Sequence, residues 1–408
     1  MATESDRRIR LRRDAQQWEY DRVVKETGRV YHFQPAGRGG IPESVKQHDM
    51  ISKHVGKQAA RLERLGAAEL AAGHRLTALE HYFEASLKYA QAQHPVLVNN
   101  PEKKYLHAGA LRCFEQVRAL APYPIERVEV PFESKFVAGY LHLADTTEPA
   151  PLIFFIPGCD MTKEFLPHPL FNWARNRGAH LFVFDGPGQG ECNINDIPTT
   201  LDNYELAAKA ALDVLIERPD VDTERIGLYA MSFGAWWGVK VAALDHRYAA
   251  AAFPWASICD KYYLFEQESP RYKQLFSFLT RAQSEEELDR FIDGMHLDDV
   301  LPRITCPSLF TVGEYDPRSP LEEVYQQFDR VTAPSELWVF ADQHHATNTR
   351  PNNGVMWSMD MHSMGIDWLL DRMGGAPYPR AGQVTWVEPT QAGPHDPAVA
   401  AKRRWYEA

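Results

Sequence analysis

The chain has 408 residues, 44% of them hydrophobic and 12% aromatic, which is enough to bury a sizeable core and excludes wholesale disorder. A formal net charge of -11 argues against nucleic acid as a partner, since phosphate backbones attract basic surfaces. No apolar stretch reaches bilayer length, no secretory h-region is visible, and the five scattered cysteines form no CxxC pair; a cytoplasmic protein with reduced thiols, no disulfide framework and no membrane contact is expected.

The one basic run, "DRRIRLRR" near the N-terminus, reads as a solvated, partly frayed arm. Residues 1–124 form a helical domain in this reading. "SVKQHDMISKHVGKQAARLERLGAAELAAG" and "HRLTALEHYFEASLKYAQAQ" space their apolar residues by three and four, and "PEKKYLHAGALRCFEQVRALA" opens on a helix-tolerant proline. Only one copy of any repeat is present, so a solenoid is not expected; the helices should pack on something else and cover the active site.

From residue 125 the pattern changes to alternation, with a turn at "ESK" between two strands. Short apolar runs then recur with helices between them: 152–157, 180–185, 225–232, 250–255, 308–316 and 336–345. Such alternation specifies a mostly parallel sheet with helices on both faces, an α/β domain over 125–375. Residues 256–305 interrupt it with a helix-rich insertion, expected to lie as a lid over the carboxyl ends of the strands. The Pro/Gly-rich tail, 376–408, reads as a loosely attached extension.

Within "LYAMSFGAWWG", Ser232 follows an apolar strand and precedes a helix, with Ala230 and Gly234 as small flanks. This is the pattern of a nucleophile elbow, a strained turn that exposes a hydroxyl. A serine hydroxyl is a poor nucleophile until a base takes its proton, and the base needs an acid to hold its tautomer. In α/β hydrolases these follow in the order Ser, Asp, His, each after its own strand. Asp316 ends "SLFTVGEYD", and "ELWVFADQHH" supplies two histidines, with His344 favoured as base and His345 as the alternative. The oxyanion donors are then the backbone N–H of Phe233 and, from the loop "PGCD", that of Cys159. "DGPGQGE" lacks phosphate-loop spacing and reads as a strand-end loop beside the pocket. No HExxH or comparable spacing joins the histidine pair to His362, so no metal and no cofactor is expected. Asp160, Tyr82, Trp236 and Tyr263 are candidate substrate contacts, the lid "YYLFEQ" and the Trp236–Trp237 pair suiting an aromatic or polyketide-like molecule, or else serving the core.

"PGCDMTKE", "FDGPGQGE", "AMSFGA" and "VGEYDPRSP", behind a helical N-terminal segment, resemble the α/β-hydrolase branch of 2,6-dihydroxypseudooxynicotine hydrolase, the fungal pigment polyketide-shortening hydrolase and FrsA-type esterases. The resemblance spans roughly residues 40 to 372. It implies an α/β-hydrolase fold, a Ser232–Asp316–His344 triad, and oxyanion donors at Cys159 and Phe233. Several members cleave a carbon–carbon bond next to a ketone instead of an ester, so the expected function is hydrolysis of such a bond, or of an ester, in a small molecule. Alanine at 230 and "PG" for "GG" depart from the branch's pattern. General carboxylesterase, acyltransferase or cyclase activity through the same serine, and a non-catalytic helical-repeat binding role, are the alternatives. A homodimer is one assembly the sequence allows.

Overall fold

The computed structural model describes residues 47–349 and 360–388, together with 9, 11–13, 16, 44 and 45. Its helices begin with α1 (Ile51–Ala71), α2 (Arg75–Gln93) and α3 (Pro101–Leu120). α3 starts as its sequence dictates: Asn100 caps it by accepting from Lys103 N at 2.8 Å, and Pro101 occupies the first turn, where no N–H is needed.

A nine-stranded sheet follows in the order β1-β2-β4-β3-β5-β6-β7-β8-β9. β1 (Ile125–Phe132) and β2 (Lys135–His142) form an antiparallel hairpin, with Glu133 at φ 53 in its turn. β2 pairs antiparallel with β4 (His180–Asp185), and every later pairing is parallel: β3 (Ala150–Ile156), β5 (Val221–Ala230), β6 (Ala250–Phe253), β7 (Ser308–Gly313), β8 (Ser335–Phe340) and β9 (Gln383–Val387). The chain crosses back over β3 between β4 and β5. The loops after β3 and β5 therefore diverge at the carboxyl edge, the place where open α/β sheets form ligand crevices. This is the α/β-hydrolase arrangement.

Between the strands lie α4 (Gly190–Ile194), α5 (Asn203–Leu215), α6 (Gly234–Leu244), α7 (Arg271–Thr280), α8 (Glu285–Asp293), α9 (Leu321–Phe328) and α10 (Asp360–Met373). One face of the sheet packs on α5, α6, α9 and the insertion; its core includes Phe154, Phe184, Trp237, Phe276 and Val324. The other face packs on α1–α3 and α10, with Leu79, Phe83, Phe114, Phe155, Tyr229 and Leu369 in one continuous cluster.

Two expectations change. The tail does not merely trail away, because residues 383–387 pair with β8 as the ninth strand. The described part of the N-terminal arm is docked: Arg12 pairs with Glu285 and Asp289, and Arg13 donates to the carbonyls of Phe265 and Glu268 at 3.1 Å each. The acidic lid supplies the countercharge that composition alone does not locate. Among the described residues no helix is long and apolar enough to cross a membrane, and all five cysteines are buried, none of them in a disulfide.

Candidate active site

β5 ends at Ala230 and α6 begins at Gly234, so the chain reverses in three residues, and Ser232 takes φ 59. A non-glycine residue at positive φ is costly and persists only where its surroundings fix it. Here the amide of Ser232 donates to Pro254 O at 2.9 Å. Alanine is tolerated at 230 because helix α6 is bare opposite it. A Cβ on Gly238 would lie only 2.3 Å from that of Ala230.

Ser232 Oγ lies 2.7 Å from Nε2 of His345, and His345 Nδ1 lies 2.6 Å from Asp316 Oδ2. His345 is therefore the histidine at the serine, which corrects the expectation for His344. The reason is local. Asp342 takes φ 57 and donates its amide to Glu314 Oε2 at 2.9 Å, and Tyr315 N donates to Gln343 O at 2.8 Å. The turn thus uses residues 342–344 against the loop after β7. His344 is left exposed with Nδ1 against Tyr315 O at 2.9 Å, while His345 points inward at 1% exposure. Beyond it the loop is tied down by Gln343, which pairs with Asn348 N and O, and by Thr347, which accepts from Trp255 Nε1 at 3.0 Å.

Asp316 is fully enclosed. Burial alone would push its carboxyl up, but the contact with His345 and the nearby Arg318 outweigh this and hold it below the usual range, so it is the ionised acceptor for His345.

Opposite the serine, Gly158 abuts it: a Cβ there would be 3.4 Å from Ser232 Cβ and 3.6 Å from Oγ. Gly158 O accepts from Gln189 Nε2 at 2.8 Å and Met161 N at 3.0 Å, and Tyr204 OH holds Gln189 Oε1 at 2.7 Å. In a trans peptide the N–H points opposite to the C=O, so fixing this carbonyl fixes the direction of the Cys159 amide. Phe233 lies across the site at the start of α6, with the lid ring of Phe276 stacked obliquely 4.6 Å from its own.

The "TKE" and "FDGPGQGE" segments meet beneath this loop. Lys163, fully buried, pairs with Glu164 at 2.8 Å, Asp185 at 2.9 Å and Glu191 at 3.0 Å; Asp185 Oδ1 accepts from Lys163 N at 2.8 Å, and Oδ2 from Glu191 N at 3.0 Å. Burial would depress the lysine, yet three carboxylates keep it charged and raise it. The strand-end loop is thus a clamp on the oxyanion loop. Gln189 and Lys163 carry a positioning role that sequence reasoning missed, although the unusual motif pair was the available signal.

Of the candidate substrate contacts, Asp160 lies at the site, its Oδ1 3.7 Å from the position a Cβ on Gly158 would take. The others go elsewhere. The Tyr82 ring covers Gly66 of α1, 3.1 Å from where a Cβ would lie, and serves helix packing. Trp236 is buried in the core beside Phe233 and Lys240, and Trp237 stacks on Tyr204 at 4.3 Å, so the tryptophan pair serves the core. Tyr263 is half-buried on a π-helical turn (Tyr263–Gln267), its ring against Tyr262. His362 is a core residue bonded to Tyr229 OH at 3.0 Å, its imidazole pushed down to about 3 by burial. Among the described residues no His, Cys, Asp and Glu cluster could hold a metal ion.

Two family models match the chain: "Esterase FrsA-like" over residues 64–266 and "Prolyl oligopeptidase family" over 173–370. A 2,6-dihydropseudooxynicotine hydrolase of Paenarthrobacter nicotinovorans is 27% identical over 315 residues, covering 77% of this chain and 82% of that protein. Esterase FrsA of Vibrio cholerae is 28% identical over 168 residues, 41% of this chain and 40% of that one. The crystal structure of a 2,6-dihydroxy-pseudo-oxynicotine hydrolase superposes with a TM-score of 0.72 at 24% identity, covering 90% of this chain and 99% of the other, which shows the shared fold. The chain has the α/β-hydrolase fold, and the relatives it matches are named hydrolases and esterases.

Proposed function

We propose that the chain is a serine hydrolase in which Ser232 is the nucleophile, His345 the base and Asp316 its orienting acid, cleaving a carbon–carbon bond next to a ketone in an aromatic or polyketide-like small molecule. The observation that carries this reading is the unbroken relay of 2.7 and 2.6 Å contacts from Ser232 Oγ through His345 to Asp316. In the first step Oγ bonds to the substrate carbonyl carbon and its proton passes to His345 Nε2. The amides of Cys159 and Phe233 hold the oxygen that gains the charge. Collapse breaks the bond to the leaving carbon, which departs as a carbanion stabilised by a second carbonyl, as in a β-diketone, and takes the proton from His345. Water, deprotonated by the same histidine, then frees the acid from Ser232.

An ester is the second substrate reading, supported by the FrsA match over the half of the chain that holds Ser232. It follows the same path with an alkoxide leaving. A fluorophosphonate probe should label Ser232, and Ser232→Ala should fold while losing about four orders of magnitude or more in kcat. Labelling at another serine, or an unaffected rate, would sink the proposal.

A further inference from the structure

Beside the triad stands a pair of guanidinium groups that the bond-cleaving steps do not use. Arg318 follows Asp316 by two residues and its amide donates to Asp316 Oδ1 at 3.0 Å, which fixes it at the carboxyl end of β7. It is 8% exposed, yet Nε has no hydrogen-bond partner among the described residues; Glu268 Oε1, 3.6 Å away, is unbonded as well. Arg271 is the first residue of α7 and half-buried. Its Nη2 donates to Tyr272 OH at 3.1 Å, and it forms no ion pair among the described residues. The two guanidinium carbons lie 4.9 and 5.0 Å from the centroid of the same Tyr272 ring. Asp160, whose carboxylate borders Gly158 together with Ser232 Oγ, is within electrostatic reach of both.

This arrangement runs against ordinary folding preference. Two cations on one ring repel, and the repulsion grows as water is excluded. A helix N-terminus carries partial positive charge and favours acids, yet α7 opens with arginine. A guanidinium has five donors, and burying them unmet is costly. The Tyr272 face offsets only a small part of that cost for each cation. Glu268 moderates the charge of Arg318 without engaging its donors. What would satisfy all three features at once is a planar anion received by the two forks.

We propose that Arg271 and Arg318 receive a carboxylate of the substrate, so that the compound cleaved at Ser232 is an acid. The inference rests on the serine-hydrolase reading and specifies its substrate class. The charge would be read beside the triad, anchoring one end while the reacting carbon is placed over Ser232.

The test uses two matched pairs of esters: mono-4-nitrophenyl adipate with its methyl ester, and 4-acetoxybenzoate with its methyl ester. They place the carboxylate on the acyl side and on the leaving side, and each rate is divided by that of spontaneous hydrolysis. The wild-type chain is expected to prefer the acid in one pair by about tenfold or more in kcat/KM, the size of one charge-assisted bidentate contact. Arg271→Gln should erase most of that preference through KM, and Arg271→Lys should restore part. Arg318→Gln should erase it as well, on top of a kcat loss common to acid and methyl ester, because Arg318 also helps to hold Asp316 ionised. If Arg318→Gln does not fold, Arg271→Gln at the half-buried helix start carries the test. No acid preference in either wild-type pair, or equal losses on acid and methyl ester in Arg271→Gln, overturns the proposal. Fluorophosphonate labelling of Ser232 separates the two readings. A labelled enzyme without acid preference loses only the carboxylate site, whereas an unlabelled, inert protein loses the hydrolase reading and this inference with it.

Discussion

Which of two adjacent histidines reaches Ser232 is decided by the turn at Asp342, whose positive φ of 57 swings the next residues round the loop after β7. His345→Ala should therefore cost kcat about as much as Ser232→Ala, while His344→Ala, a change at an exposed ring, should stay within about tenfold. Steady-state rates on 4-nitrophenyl acetate check the ranking, and the reverse order would return the base to His344. Gln189 permits a sharper test. Its amide holds Gly158 O at 2.8 Å and so aims the Cys159 N–H, while its carbonyl satisfies the buried Tyr204 hydroxyl at 2.7 Å. Gln189→Met should lower kcat by about ten- to a hundredfold, less than removing an oxyanion donor outright because Met161 N still holds the carbonyl. It should also cost about 1–3 kcal/mol of stability by stranding the hydroxyl. Adding Tyr204→Phe should recover the stability and not the rate; if both return together, Gln189 is only a packing residue. At this scale the sequence reveals Ser232 and Asp316, because each sits directly after an apolar run. It does not distinguish His344 from His345, since a turn's backbone torsions are set by partners such as Glu314 and Tyr315, brought in from another strand.

At the level of elements, all six apolar runs read from the sequence became strands, because a strand buried on both faces has little choice but Val, Leu, Ile, Phe and Ala. β9 escaped notice since "QVTWV" is only partly buried and surrounded by turn formers; its place depends on the free edge of β8. The tyrosines of α2 were equally ambiguous, as a helix shows which residues share a face and not which neighbour covers them. One contact does tie the helical layer to the lid. Lys103 of α3 donates to Gln93 O at 3.1 Å and lies 4.5 Å over the ring of Phe278 in α7. Burial, with the charge of Arg281, brings its ammonium from 10.5 down to about 7. Between these values the unfolded chain keeps the proton and the folded chain does not. Stability therefore rises with pH across this window, by at most about 1.4 kcal/mol per unit, and the cost of burying the charge is present in full below about 7. Lys103→Met should accordingly be more stable than wild type at pH 6.5, with the gap closing towards pH 9.5 in guanidinium titrations. A gap of the same size at both pH values would show that the ammonium is not the cause.

On the scale of the whole molecule, the helical segment departs from the image of a separate domain lying over an enzyme. Leu79, Phe83, Phe114 and Val117 of α2 and α3 belong to the same unbroken apolar cluster as Ile153, Phe155, Tyr229 and Ala252 of the sheet. Removing α1–α3 would strip one face of the parallel sheet, and such sheets are stable only with both faces covered. The helices should therefore unfold with the sheet and not before it. Tryptophan fluorescence and far-ultraviolet circular dichroism separate these possibilities, because α1–α3 contain no tryptophan while Trp173, Trp236, Trp237, Trp255, Trp338 and Trp368 are buried against or beside the sheet. In a guanidinium titration the two signals should trace one coincident transition with a common midpoint. Loss of helical signal at lower denaturant, ahead of the tryptophan change, would mean that the helices form an independent unit. Coincidence would place the helical layer among the elements that hold the β3 and β5 loops, and with them Gly158 and Ser232, at their working separation.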